Sequence, residues 1–351
     1  MKIAFVTPDD LSTIIFCKTF AAMLKELGGF DVCTISAIGR YQAELASVAS
    51  RHIAVDMERF VEPVNDLRYF LTLYRIFRRE RFDLVVTFTT KPNIYGALAA
   101  RRARIPGIVV AVRGLGQAFN DSRSVRGWAL RYVVGRLYRA SCRASRRVWF
   151  TNPNDRAYFV SRGIVDSDKT FVTRNAIDLQ DFSMEALDEE RRRTLRTELG
   201  LTADSRVVIM VARMIRPKGV REFAEAARLL RHRRPSIKFL LVAPLEPDSP
   251  HAIPESYIRD MERQANLAWL GFRKDVRDLY ALAHLAVLPS YYKEGGYPRA
   301  LLEPMALGKP VIAADTDDCK GPVEEGKNGF LVPTRDPGAL ADRIERILSD
   351  D

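Results

Sequence analysis

The order of its apolar segments constrains this chain more than any other feature. The first half reads KIAFVT (Lys2–Thr7), a helix over 16–27 closed by Gly28 and Gly29, then DVCTISA (Asp31–Ala37). A helix over 67–80, DLVVTF (Asp83–Phe88), a helix over 94–102, IVVAV (Ile108–Val112), a basic helix and RVWFT (Arg147–Thr151) follow. Short apolar strands separated by segments of helical length dictate a parallel sheet with right-handed crossovers. The pattern restarts with RVVIMVA (Arg206–Ala212), a helix over 219–233, KFLLVA (Lys238–Ala243) and a Pro-rich loop. It continues with Leu267–Leu270, a helix at Val276–Ala283, LAVL (Leu285–Leu288), a helix over 299–307 and PVIAA (Pro310–Ala314). The chain is therefore α/β, with two Rossmann-like doubly wound domains, 1–178 and 179–351, and a polar linker within 176–205. Open α/β units bind ligands outside the carboxyl ends of their strands, so the two are expected to face a central cleft.

Composition narrows the function. The net charge is +11, and it is unevenly placed. Residues 1–180 hold 28 Lys/Arg against 16 Asp/Glu, or +12, and the remainder holds 27 against 28, or −1. The first half therefore calls for an anionic partner: a phosphorylated substrate, anionic lipid or nucleic acid. Nucleic acid ranks last, because interleaved stacking aromatics and a binding motif are missing. The four cysteines, Cys17, Cys33, Cys142 and Cys319, are scattered without a CxxC pair, which gives no zinc or redox site and suits a reducing compartment. The opening MKIAFVTPDD reads as a buried strand rather than a signal peptide, and no apolar run is long enough to span a bilayer. Any membrane contact is expected to be peripheral, at the inner face of the cytoplasmic membrane.

Two segments carry the chemistry. In EGGYPRALLE (Glu294–Glu303), a strand enters a glycine-rich turn and a helix leaves it. Glycines let backbone N–H groups approach an anion, and the helix N-terminus adds positive potential. A carboxylate on either side can bind sugar or ribose hydroxyls. In VARMIRPKGV (Val211–Val220), Arg213 and Lys218 follow a strand end and can neutralise a diphosphate. An ordinary βα turn and a solvated basic pair explain the same residues, taken alone. Asp315-Thr316-Asp317 spells DxD but follows a buried strand and is read as a capping turn, so no metal site is expected.

These segments together resemble family 4 retaining glycosyltransferases of the GT-B type. Residues 211–219 are similar to that family's Gly-Arg-Leu-x-x-x-Lys-Gly element, 294–306 to its E-x7-E element followed by Ala-Met-Ala, and EEGKNGFLVP (324–333) to its xxGxNGxLVP stretch. KPNIYGA (Lys91–Ala97), RGLGQAF (Arg113–Phe119) and FTNPNDRAYFVSRGIV (Phe150–Val165) resemble the branch of PglA-like, capsule and O-antigen transferases. The resemblance implies an acceptor-binding first domain and a second domain binding a nucleotide sugar. It implies a UDP-sugar donor, a polyprenyl-diphosphate-linked saccharide acceptor and a metal-independent reaction without cofactor. Arg213 and Lys218 would bind the diphosphate, Glu303 the ribose and Glu294 the transferred sugar. Gly295, Gly296, Tyr297, Pro298, Arg299 and Leu301 would lie under diphosphate and sugar, Phe272 and Arg273 beside uracil, and Gly114 and Gly116 near donor sugar and acceptor.

Three departures stand out. Glu294 and Glu303 are nine apart rather than eight, which could bring Gly295 to the aligned place. The first element reads Val-Ala-Arg rather than Val-Gly-Arg. The family's final helix, which crosses back to the first domain, is expected to be missing after 340–351.

A retaining front-face route needs no separate base, because the leaving diphosphate takes the acceptor proton. His52, the one histidine of the first half, is read as a loop residue without that role. Residues 123–147 hold eight arginines and no acid, with Arg136, Arg139, Arg143, Arg146 and Arg147 on one face and Leu130, Val134, Leu137 and Ala144 on the other. That helix is read as packed on the sheet with an arginine face, with Trp128, Tyr132 and Tyr138 suited to a membrane interface or the core. Alternatives are a glycosyltransferase with a soluble or lipopolysaccharide-core acceptor, and a GT-B-shaped epimerase or phosphorylase, whose acid/base pair or cofactor lysine is not seen.

Overall fold

Strands that are mostly apolar and buried on both faces form the centre of each half, and helices cover them. The computed structural model describes residues 1–58, 62–114, 125–183 and 188–349. The chain divides into two units, Met1–Arg174 and Asn175–Asp351.

Unit 1 holds β1 (Lys2–Asp9), β2 (Asp31–Ala37), β3 (Arg51–Ala54), β4 (Leu84–Phe88), β5 (Gly107–Val112), β6 (Arg147–Phe150) and β7 (Thr170–Val172). They pair in parallel in the order β3-β2-β1-β4-β5-β6-β7, which reverses between β1 and β4. The helices are α1 (Asp10–Leu27), α2 (Pro63–Glu80), α3 (Ala97–Arg102), α4 (Val125–Ala144) and α5 (Pro153–Ser161). Leu73, Phe77, Ala100 and Tyr138 close one face of the sheet, and Cys17 and Ala21 pack with Phe5 and Phe88 on the other. Helix α1 starts earlier than its apolar pattern because Asp9 caps it, accepting from the Ser12 amide at 2.7 Å. His52 lies in β3 rather than in a loop. Its Nδ1 meets Thr34 Oγ1 at 2.9 Å, while Nε2 is buried without a hydrogen-bond partner.

Unit 2 repeats the order. Strands β8 (Arg206–Val211), β9 (Ile237–Val242), β10 (Leu267–Gly271), β11 (Leu285–Leu288), β12 (Val311–Ala314) and β13 (Gly329–Val332) lie as β10-β9-β8-β11-β12-β13, all parallel. The helices are α6 (Glu189–Glu198), α7 (Val220–Leu230), α8 (Glu255–Gln264), α9 (Val276–Leu282), α10 (Arg299–Ala306) and α11 (Pro337–Ser349). The expected linker thus contains α6, an element of unit 2. Asp188 caps it, Leu195 is fully buried, and Arg191 pairs with Asp275. With one buried apolar residue among charges, α6 has too narrow an apolar stripe for periodicity to reveal. Residues 340–349 belong to α11, whose Leu340, Ala341 and Ile344 join Phe223 in the unit 2 core.

The basic helix is shorter than expected. It ends at Ala144, and Arg147 opens β6, donating to the Asp168 carbonyl at 2.9 Å. Val134, Tyr138 and Cys142 are buried, whereas Leu130 is exposed. Arg123 lies outside the described residues.

Candidate functional site

In unit 2 the strand order reverses between β8 and β11, so the loops leaving their carboxyl ends are neighbours. They touch through their backbones. The Tyr291 amide donates to the Pro217 carbonyl at 2.9 Å. Gly219 has φ +81°, and a Cβ there would stand 2.3 Å from the Pro289 carbonyl oxygen, so only glycine permits this approach.

The charged side chains converge across that seam. Lys218 Nζ is ion-paired with Glu294 Oε2, and both side chains are largely buried. Ser290 Oγ donates to the other Glu294 oxygen at 2.6 Å. Arg213 Cζ and Lys218 Nζ lie 5.2 and 5.0 Å from the centroid of the Tyr292 ring, so both cations reach the turn that follows β11. Tyr292, Ser290 and Asp318 escaped the sequence reading, because a lone serine, tyrosine or aspartate carries no spacing signal.

Asp318 changes the account of the glycine turn. Its Oδ2 accepts from the Glu294 amide at 2.8 Å, and the Gly295 amide also points to this carboxylate. The amides expected to face an external anion thus have an internal one. Burial pushes the Asp318 carboxyl above its ordinary value, against the pull of those donors. Gly295 and Gly296 have φ of +72° and +117°, which absorbs the extra residue of the turn and leaves Glu294 on Lys218.

Helix α10 follows. Its N-cap is Pro298 and no side chain caps it, so its first turn keeps anion-binding character. The Tyr297 carbonyl accepts from Asn175 Nδ2 at 2.9 Å, and Leu301 is fully buried. Arg299 Nε donates to Glu303 Oε1 at 2.8 Å. Burial raises the Glu303 carboxyl above its ordinary value, with Arg299 opposing. Beneath it Tyr280 is fully buried, and burial together with the Glu303 charge raises its phenol well above the usual range.

The remaining expected residues are scattered or committed. Phe272 is exposed just beyond β10. Arg273 is held by Asp275 at 2.8 Å and Glu198 at 2.6 Å, so its guanidinium is engaged by carboxylates. Gly114 lies two residues beyond β5 with φ +134°, beside Arg113, whose guanidinium carbon sits 4.5 Å from the Phe16 ring. Gly116 lies outside the described residues. In the DxD turn, Asp317 pairs with Lys320 at 2.9 Å. Lys91, from KPNIYGA, forms a buried ion pair with Asp66 at 2.6 Å. Asn93 accepts from Thr87 Oγ1 at 2.8 Å and donates to the Ala111 carbonyl at 2.9 Å, tying β4 to β5.

Comparison with known proteins gives the family. A model of glycosyltransferase family 4 matches residues 16–181, and a model of glycosyl transferases group 1 matches residues 205–350. The chain is 25% identical over 352 residues to the N,N'-diacetylbacillosaminyl-diphospho-undecaprenol alpha-1,3-N-acetylgalactosaminyltransferase of Campylobacter jejuni, covering 100% of this chain and 90% of the relative. It is 27% identical over 294 residues to the UDP-Gal:alpha-D-GlcNAc-diphosphoundecaprenol alpha-1,3-galactosyltransferase of Escherichia coli, covering 83% and 73%. The crystal structure of Anabaena HepE with UDP and glucose superposes with a TM-score of 0.78 at 22% identity, covering 100% of this chain and 90% of that one, a likeness of fold. The two models fall one on each doubly wound unit, and the chain belongs to the family 4 glycosyltransferases, enzymes of the two-domain GT-B fold class.

Proposed function

We propose that this glycosyltransferase moves a sugar of the N-acetylhexosamine type from a UDP-sugar to a polyprenyl-diphosphate-linked saccharide during glycan or surface polysaccharide assembly, with retention at the anomeric carbon. The observation that carries the donor side is the convergence of Arg213, Lys218, Glu294 and Ser290 where the β8 and β11 loops meet. The acceptor class rests on two relatives whose names specify diphospho-undecaprenol-linked sugars.

In this reading the Lys218–Glu294 pair is the resting form of the site. Donor binding redirects Lys218 and Arg213 to the diphosphate and Glu294 to sugar hydroxyls, while Glu303 takes the ribose. The first amides of α10 lie under the diphosphate. The bond between the anomeric carbon and the diphosphate oxygen breaks, the acceptor oxygen bonds to that carbon on the same face, and the departing diphosphate takes the hydroxyl proton. Cations on a leaving group lower such a barrier by about 2–4 kcal/mol each where water is excluded. No metal is required, so activity should persist in EDTA, and strict Mn²⁺ or Mg²⁺ dependence would overturn that part.

The acceptor places the enzyme at the inner face of the cytoplasmic membrane, and α4 is the proposed contact. Trp128 and Tyr132 stack at 5.9 Å and are exposed, beside Arg131 and Arg136 along a cavity of about 460 Å³. Among the described residues no helix is long and apolar enough to cross a bilayer. The test is UDP release over a panel of nucleotide sugars, with and without polyprenyl-diphosphate-linked saccharides. Release stimulated equally by soluble sugars would favour the soluble-acceptor reading.

A further inference from the structure

The positive excess of the first half is not confined to α4. Part of that helix is structurally committed, with Arg139 donating to the Gly163 and Arg162 carbonyls at 2.8 and 2.9 Å. A second concentration lies at the opposite end of the unit 1 sheet from its carboxyl strand ends, where α2 turns into β4 and α3 turns into β5. There Arg78, Arg81, Arg102 and Arg104 line one cavity of about 510 Å³, together with Asp83.

Two features separate this cluster from an ordinary solvated surface. First, Arg81 and Arg104 both sit in the left-handed region, at φ +52° and +63°, just past the ends of α2 and α3. Glycine is the default there because a Cβ is strained. Two adjacent helix ends that forgo glycine for arginine, and line the same cavity, keep the guanidinium at a cost in backbone strain. Second, the negative charges at this end are already engaged. Asp83 Oδ2 accepts from the Lys2 amide at 2.7 Å, and Glu80 is held by Lys2, Arg51 and Arg79. Among the described residues none of the four arginines is ion-paired to a carboxylate. Tyr74 stands between them, with Arg102 Cζ 5.5 Å from its ring and Arg78 NH1 donating to its hydroxyl at 3.2 Å. The Arg78 hydrogen bond, with the charges of Arg102 and Arg104, holds that phenol below its ordinary pKa.

We propose that Arg78, Arg81, Arg102 and Arg104 form an anion site for a phosphate or diphosphate group, at the end of unit 1 opposite its carboxyl strand ends and independent of the donor-binding loops. Forked guanidinium groups suit multiply charged phosphate oxygens, and four in one cavity exceed what a single carboxylate needs. The group can come from a free phosphate or from an anionic lipid headgroup.

The test separates these sources. Inorganic pyrophosphate binding is followed by calorimetry with UDP in excess, and cosedimentation is followed with vesicles containing phosphatidylglycerol, both at one fixed salt concentration. The informative variant is Arg81→Gly combined with Arg104→Gly, because glycine relaxes the backbone at both positions and its thermal melt should match or exceed that of the wild type. We expect at least one probe to bind the wild type and to bind this variant tenfold or more weakly, with Arg78→Gln combined with Arg102→Gln showing the same loss. Loss in the pyrophosphate arm identifies a free phosphate, and loss confined to the vesicle arm identifies a headgroup. Failure of the wild type to bind either probe, or binding by both double variants within twofold of wild type, overturns the proposal.

Discussion

The two units share one strand order but use their switch points differently. In unit 1 the polar groups beyond β4 bind one another. Lys91 pairs with Asp66 at 2.6 Å, Tyr95 donates to the same carboxylate at 3.1 Å, and Asn93 joins Thr87 to the Ala111 carbonyl. Burial and the Asp66 charge push the Tyr95 phenol up to about 12. That network fastens α2 to the turn following β4. In unit 2 the corresponding place holds Lys218, Glu294, Ser290, Arg213 and Tyr292 on two loops whose backbones meet at Gly219. A buried pair between fixed elements is structure, whereas the pair on two opposed loops is the one proposed above to exchange its partners for a ligand. The same topology therefore specifies where a site can form, and side-chain chemistry decides which unit uses it.

The contrast is most sharply broken by exchanging effects. Lys91→Met leaves the Asp66 carboxylate buried without its counter-ion, with Tyr95 still donating to it, and should cost about 3–5 kcal/mol of stability. Urea unfolding measures it, and an unchanged midpoint would deny the structural role. Lys218→Ala should reduce turnover about a hundred- to a thousandfold, and because it leaves the Glu294 carboxylate largely buried without its cation it should also lower the unfolding midpoint, so turnover is compared at a temperature where the variant is folded. Steady-state kinetics with the donor identified by UDP release is the check, and wild-type turnover would remove Lys218 from the proposed mechanism. Gly219→Ala joins both effects. The left-handed backbone alone costs about 1–2 kcal/mol, and the added carbon meets the Pro289 carbonyl, which cannot move independently of β11. We expect lower stability together with weaker UDP binding; loss of neither would mean that the seam is not tight.

The smallest effect is a dependence on pH. His284 Nδ1 accepts from the Val207 amide at 2.9 Å, which a protonated ring cannot do. Burial first, then Arg206, Lys309 and Arg196, lower its pKa from the ordinary 6.5. The unfolded chain thus takes up a proton near pH 6.5 while the folded chain still resists it, so stability contributed by His284 falls as the pH drops below 6.5. His52, in β3, shifts in the same direction, mainly through burial. Urea midpoints measured from pH 7.5 to 5.5 should decline less steeply in His284→Gln than in the wild type; parallel declines would exclude His284 as a contributor.

How far the sequence could be read follows from the range of each interaction. Strand and helix order were legible because burial imposes a local period, and β11 was placed at Leu285–Leu288 from the apolar run alone. The loops bearing Arg213, Lys218 and Glu294, and the helix bearing Glu303 that leaves the second of them, were legible because they follow strand ends and carry glycine. Helix α6, with one buried leucine, and β3, with two exposed residues in four, lacked that period.

The amino-acid order by itself determined two doubly wound α/β units and the family, and it singled out the loops of the candidate site, since all three are written in local apolar spacing and short motifs. Only the tertiary structure decided that Lys218 is paired with Glu294, that Asp318 occupies the amides of the glycine turn, and that arginines from two helix ends share one cavity. These pairings join residues 76, 24 and, for Arg81 and Arg104, roughly two dozen positions apart. No local period links such positions, because chain crossovers, not neighbouring residues, bring them together.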